Sequence, residues 1–285
     1  MSARGELTVK DLNPYIGSEV SGIDLGQSVS PETRDHLLDL LHERKVLVFR
    51  DQRLTPGRQA EFSRMYGELE IHPLQEFCVA GHPEVLIISN IFRNGRKVGL
   101  YEGGQVDWHV DHGTSPRPSA MSFLYSVTSA QVGGDTLFCA ADAAYDALPD
   151  EFRARIADAQ AVHSMSFLLE QRRQADDEVQ PDSIEERRSA MPDVVHPLVR
   201  SHPVTDRKAL FVSSMTIREL RGMSPEEGRS ICRQLLEHAT QGTYVYRHQW
   251  RDGDLVWWDN RTAIHTATPC DRDQYHRLLH RTTVI

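Results

Sequence analysis

DWHVDHGTS (Asp107–Ser115) puts two histidines and two aspartates into six consecutive residues, with a tryptophan among them. An HxD pair is weak evidence alone, because 14 His and 22 Asp in 285 residues yield roughly one by chance. In an extended strand, however, side chains two apart share a face, so His109 and Asp111 can reach one ion while Val110 points away. A third ligand is then needed, and His265 in DLVWWDNRTAIHTAT (254–268) supplies it, behind an apolar strand and a turn. Two imidazoles and one carboxylate leave about three positions of an octahedral ion open, the arrangement of non-heme Fe(II) oxygenases. A closed structural zinc site would want four protein ligands. His112 is the rival of His109, although in a strand it faces the opposite side. His36, His42, His82, His163, His196, His202, His238 and His248 read as surface or hydrogen-bonded core residues.

The rest of the chain says what could carry such a site. Short β-branched or aromatic runs recur between turn residues: KVLVFR, EVLIIS, SAMSFLYSV, DTLFCA, KALFVS, TYVYRHQW, DLVWWD and LLHRTTVI. Their number and brevity predict a mainly β fold, two packed sheets or a jelly roll, with helices packed outside. Helix starts are expected at Ser30-Pro31-Glu32, Thr55-Pro56, Leu148-Pro149-Asp150-Glu151 and Ser224-Pro225-Glu226-Glu227, where a cap or an N1 proline precedes a helical pattern. Glu227 adds a capping box, and Leu37, Leu38 and Leu41 share one face of the first helix. One domain spanning 1–285 is expected. Its segment at about 165–195, dense in charge over 170–193, reads as a solvated loop or short helix, an exposed insertion or a lid.

Composition narrows the function classes. A formal charge of -9 disfavours a nucleic-acid partner, and no apolar run approaches a membrane span. MSARGELTVK carries no secretory pattern, so a cytoplasmic location is expected. Four scattered cysteines without CxxC read as free thiols.

WHVDH, GGDTLF, WWDNRTAIH and HRLLHRTT, in that order, resemble the taurine dioxygenase and 2,4-dichlorophenoxyacetate dioxygenase family of Fe(II)- and 2-oxoglutarate-dependent oxygenases. The resemblance starts at GSEVSGIDL, runs through KVLVFRDQRLTPGRQAEFSRMYGEL and ends at HRTTVI. It implies a double-stranded β-helix, a cupin-like jelly roll, with Fe(II) between its sheets, 2-oxoglutarate as cosubstrate, O2 as oxidant, and assembly as dimers or tetramers. Carried over by position, His109, Asp111 and His265 are the facial triad, and Thr136 with Arg277 holds the far carboxylate of oxoglutarate. A guanidinium suits that task, being a planar two-pronged donor. Arg281, four residues on, shares a face with Arg277 in a strand and matches the position that meets the substrate's sulfonate or carboxylate. His72 matches a histidine that helps to bind the same group, and Trp258 packs near the oxoglutarate pocket. Gln105 is a further substrate-side candidate. Gln75, Gln105 and His112 depart from the taurine enzyme, so the pocket is not a copy of the taurine site.

The implied reaction is hydroxylation of a small anionic organic substrate, coupled to conversion of oxoglutarate into succinate and CO2. Where the hydroxylated carbon bears a heteroatom, the product collapses and that bond is cleaved. Asp111 argues against halogenation, which typically lacks the carboxylate. Two alternatives stand beside this reading: a zinc hydrolase on the same residues, in which Arg277 has no role, and a non-catalytic cupin-like binding protein.

Overall fold

A computed structural model describes residues 7–100, 106–175 and 191–285. Two sheets dominate it. The larger has eight strands in the order Thr8–Asp11, Ser18–Ser21, Val46–Phe49, Leu255–Asp259, Met121–Thr128, Leu278–Val284, His82–Ser89 and Cys78–Val79. The smaller has four, in the order Val245–His248, Thr136–Ala140, Ala263–Ala267 and Val106–His109. All pairings in both are antiparallel except that of Ser18–Ser21 with Val46–Phe49. Each predicted strand run contains a strand, although KALFVS keeps only Lys208–Leu210 and TYVYRHQW only Val245–His248, and the mainly β jelly roll with flanking helices is the observed architecture.

Both faces of the larger sheet are covered, which explains why its central strands read as continuous apolar runs rather than alternating ones. Leu255 and Trp257, with Met121, Phe123 and Tyr125, pack outward into one core with Leu37, Leu41, Ala60 and Phe62. Trp257 stacks on Phe123 there, with ring centroids 4.9 Å apart. Val256, Trp258, Val46, Val48 and Leu124 face the other way, onto Phe138, Ala140 and Ala263 of the smaller sheet. The far face of the smaller sheet (Cys139, Ile264) packs on Ile231, Leu235 and Leu210. The layers are therefore helices, large sheet, small sheet, helices, with the site between the sheets.

Among the described residues the α-helices are α1 (Pro31–Arg44), α2 (Pro56–Arg64), α3 (Ala141–Asp146), α4 (Asp150–Ile156), α5 (Met165–Ala175) and α6 (Pro225–Ala239). Ser30, Thr55 and Ser224 cap α1, α2 and α6 by accepting from the backbone N–H three residues on. Glu227 does not complete a capping box; its carboxylate takes Arg155 at 2.7 Å. Helix α3 was not expected from the sequence; α5 begins ahead of the charged stretch, where no helix was expected, and takes in its first residues, 170–175, where a short helix was one of the expectations. Residues 176–190, most of the supposed insertion or lid, lie outside the described residues. No helix among the described residues is long and apolar enough to cross a membrane.

Candidate active site

Register brings the first two donors together: in the smaller sheet His265 pairs directly with His109, and Phe138 sits on its other side. The strand ends at His109, so Asp111 is not on it as expected but in the turn that follows. The face argument survives, because Val110 still points away into the core while Asp111 turns back. Asp111 Oδ1 lies 3.8 Å from His109 Nε2 and 3.7 Å from His265 Nε2. The three residues offer ligand atoms all within 4.8 Å of one another. His112 is elsewhere: its backbone is left-handed (φ 56°) and its Nε2 meets Glu70 at 3.4 Å.

Electrostatics keep these donors ready. Burial alone would raise the Asp111 pKa, but Arg281, 3.6 Å from Oδ1, and the two histidines hold it far below the usual carboxylate range. Burial, with His109 beside it, pushes His265 down to about 3. Carboxylate and neutral imidazole are the protonation states that bind metal. His109 Nδ1 lies 2.8 Å from the Asp107 carbonyl, which leaves Nε2 as the lone-pair nitrogen. Asp111 Oδ2 accepts from Ser122 Oγ at 2.7 Å. Two imidazole nitrogens and one carboxylate oxygen on one side of a cavity fit a six-coordinate ion with open positions.

Thr136, Arg277 and Arg281 line the same narrow cavity as the triad, walled by Ile88, Leu124, Trp258 and Ala267. Thr136 and Arg277 are buried. Trp250 Nε1 donates to Thr136 Oγ1 at 3.1 Å, leaving the threonine's own proton free for an acceptor in the cavity. Arg277 is not on the strand with Arg281 but just before it, and Asn90 fixes its backbone twice: Oδ1 accepts from Arg277 N (2.8 Å) and Asn90 N donates to Arg277 O (3.2 Å). Arg281 Nε is buried without a hydrogen-bond partner among the described residues. Trp258 does line the pocket, and its N–H also holds Asn260 Oδ1 at 2.7 Å.

The remaining candidates are less central. His72 is half-buried and does not line the cavity; burial lowers its pKa, and it feels the charges of Glu70, Arg281 and His112. Its Nδ1 accepts from Leu74 N at 3.2 Å, so the ring proton sits on Nε2. Gln75 is exposed and bonds the His72 carbonyl. Gln105 lies outside the described residues. Sequence reasoning missed Asn90, Ser122, Trp250 and Asn260, all of which bond to a candidate site residue or to its partner. It also missed a second His/Asp group, His42, His202 and Asp259, whose donor atoms likewise lie within 4.8 Å.

Comparison with known proteins agrees with this geometry. Residues 8–283 match the family model described as "Taurine catabolism dioxygenase TauD, TfdA family". The chain is 35% identical over 283 residues to the alpha-ketoglutarate-dependent 2,4-dichlorophenoxyacetate dioxygenase of Cupriavidus pinatubonensis, covering 96% of both. It is 29% identical to the alkylsulfatase of Acinetobacter baylyi, covering 98% of this chain and 85% of that one. Its fold matches the crystal structure of AAD-2 in complex with Mn(II) and N-oxalylglycine with a TM-score of 0.82 at 32% identity, over 98% and 97% of the two chains. Neither the zinc-hydrolase reading nor the non-catalytic one finds support among these relatives. The chain belongs to the TauD/TfdA family and is an alpha-ketoglutarate-dependent dioxygenase that uses Fe(II), 2-oxoglutarate and O2.

Proposed function

We propose that this dioxygenase hydroxylates a small organic anion, a carboxylate, sulfonate or sulfate ester, and releases a fragment when the hydroxylated carbon bears a heteroatom. The observation that carries the reading is the pair of guanidinium groups, Arg277 and Arg281, converging on one cavity with the His109–Asp111–His265 set. One arginine serves the oxoglutarate carboxylate and the other is left for a second anion. The named relatives fit that class, since 2,4-dichlorophenoxyacetate is a carboxylate and an alkylsulfatase acts on sulfate esters.

His109, Asp111 and His265 would hold Fe(II), which with oxoglutarate and O2 supplies the oxidation: the substrate gains a hydroxyl as oxoglutarate becomes succinate and CO2. The protein's part is placement. Thr136 donates its hydroxyl proton, and Arg277 its planar fork, to the far carboxylate of oxoglutarate. Arg281 takes the substrate anion through its unpartnered Nε–H, and His72 adds a neutral Nε2–H donor. Ile88, Leu124, Trp258 and Ala267 keep the cavity apolar between those two charges, which strengthens both ion pairs and fixes the target C–H. The whole of 1–285 would act as one oxygenase domain.

The test loads the protein with Fe(II) and 2-oxoglutarate without oxygen and follows the visible charge-transfer band while phenoxyacetates, alkyl sulfates, sulfonates and neutral analogues are added. Acids that shift the band should also drive succinate formation once oxygen is admitted. Turnover of the neutral analogues with the acids inert would overturn the proposal.

A smaller change tests the oxoglutarate arm. Gly134 sits at φ +68°, and a Cβ there would lie 2.9 Å from Arg277 Cδ. Gly134→Ala should displace the guanidinium and raise the oxoglutarate KM by about tenfold with the metal affinity unchanged, since small misplacements of a positioning group cost one to two orders of magnitude. Steady-state kinetics in oxoglutarate check it.

A further inference from the structure

We propose that Asn260 sets the direction of a buried hydrogen-bond relay, Trp258 to Asn260 to Ser122, which confines Asp111 to one-oxygen coordination. This rests on the reading of Asp111 as a metal ligand.

The direction follows from chemistry that leaves no choice. An indole N–H only donates, so Trp258 Nε1, 2.7 Å from Asn260 Oδ1, fixes which way the amide faces. Asn260 Nδ2 then points at Ser119 Oγ (3.0 Å) and Ser122 Oγ (2.9 Å) and donates to both. Ser122 has one proton; Asn260 Nδ2 takes one of its two lone pairs and cannot accept, whereas the carboxylate can only accept, so that proton goes to Asp111 Oδ2, 2.7 Å away. All five residues are buried, so the order cannot be scrambled cheaply by solvent. The strand register makes this possible: Trp258 pairs with Ser122 across the larger sheet, which brings Asn260 alongside Ser122.

The consequence lies at the other carboxylate oxygen. With Oδ2 held by a short bond from below, Oδ1 is the oxygen presented to His109 Nε2 and His265 Nε2. A carboxylate free to rotate would offer both oxygens and occupy a further coordination position, one that a two-pronged cosubstrate and oxygen require. Asn260 thus acts as a positioning residue through Ser122, at two removes from the metal.

Co(II) binding, read by calorimetry and by its ligand-field spectrum, tests the relay without turnover. Ser122→Ala should weaken Co(II) binding by about 10–100-fold, the usual cost of losing an outer partner of a ligand. Asn260→Asp is the decisive variant. Its carboxylate can only accept, so Ser122 turns toward it and abandons Asp111. The relay therefore predicts weaker Co(II) binding, by a factor similar to that of Ser122→Ala. The added negative charge alone would predict tighter binding. The double variant should bind about as Ser122→Ala does. Thermal melts report folding; if Asn260→Asp does not fold, Trp258→Phe, which frees the amide to flip, should weaken Co(II) by several-fold. Unchanged binding in Ser122→Ala, or tighter binding in Asn260→Asp, overturns the relay. Failure of the wild type to bind Co(II) would instead overturn Asp111 as a ligand.

Discussion

Arg277→Leu is expected to raise the dissociation constant for 2-oxoglutarate by about 100-fold or more, while Co(II) still binds. The magnitude comes from burial. Arg277 is 4% exposed, and the carboxylate it would meet is withdrawn from water among Ile88, Trp258 and Ala267. Removing one partner of such a charge pair costs about 2–5 kcal/mol, much of it the penalty of leaving the other charge unpaired. Leucine keeps the apolar stem in place, so the backbone clamp from Asn90 should survive. Arg281→Ala is the counterpart: oxoglutarate binding should persist, but productive substrate turnover should be lost and succinate formation should no longer respond to the acid. Anaerobic titration of the charge-transfer band reads the first, and succinate assays with and without substrate read the second. Equal loss of oxoglutarate affinity in the two variants would refute the division between the arginines, and with it the argument for an anionic substrate.

Much of this was legible in the chain before folding, and the parts that were not share a physical cause. The strand runs were readable because strands such as Val46–Phe49 and Leu255–Asp259 are buried on both faces, so that all of the first and all but the closing aspartate of the second is apolar. Helices α1, α2 and α6 announced themselves through a capping hydroxyl followed by proline. Helix α3 did not, because Ala140 offers no capping side chain and its residues are mostly small and buried on all sides. Helix α5 had a signal that was passed over: Ser164 Oγ accepts from Phe167 N at 3.2 Å, an ordinary serine cap just ahead of a segment read for its charge. The triad was found by local spacing and by resemblance. Ser122 and Asn260 are 138 residues apart and meet only through the pairing of two strands, so no spacing rule reaches them. The same holds for His202 and Asp259, 57 residues apart, which look unremarkable until folded.

That last pair leads to the largest stability effect expected. Asp259→Ala should destabilise the protein by about 3–5 kcal/mol, the cost of breaking a buried ion pair from one side. Asp259 is fully buried, and every lone pair that faces the protein is used. Oδ1 accepts from Arg261 N (2.9 Å) and Nε (2.7 Å), and Oδ2 from Arg261 Nη2 (2.6 Å) and His202 Nε2 (3.0 Å). His42 stands 3.3 Å from the same Nη2, which gives His42, His202 and Asp259 the spacing of a metal centre. The guanidinium already fills the place a cation would take, and its charge repels another. Zinc should therefore leave the melting temperature of the wild type unchanged, whereas a true site would raise it with ligand concentration. Burial by itself would lift the Asp259 pKa, but the bonds from His202 and Arg261 more than reverse this, and it lies below the usual value. A depressed folded-state pKa contributes stability that is complete above the unfolded carboxylate value, about 3.9, and is lost as pH falls through the folded one. The gap between wild type and Asp259→Ala should thus be full at neutral pH and close in strong acid. The damage should also reach the active site, because Asp259 closes the strand that delivers Asn260 to Ser122, and its backbone N–H is tied to Lys45 O at 2.9 Å. A chemical-denaturation series showing less than about 1 kcal/mol at neutral pH, or stabilisation by zinc, would mean that the guanidinium does not hold this carboxylate.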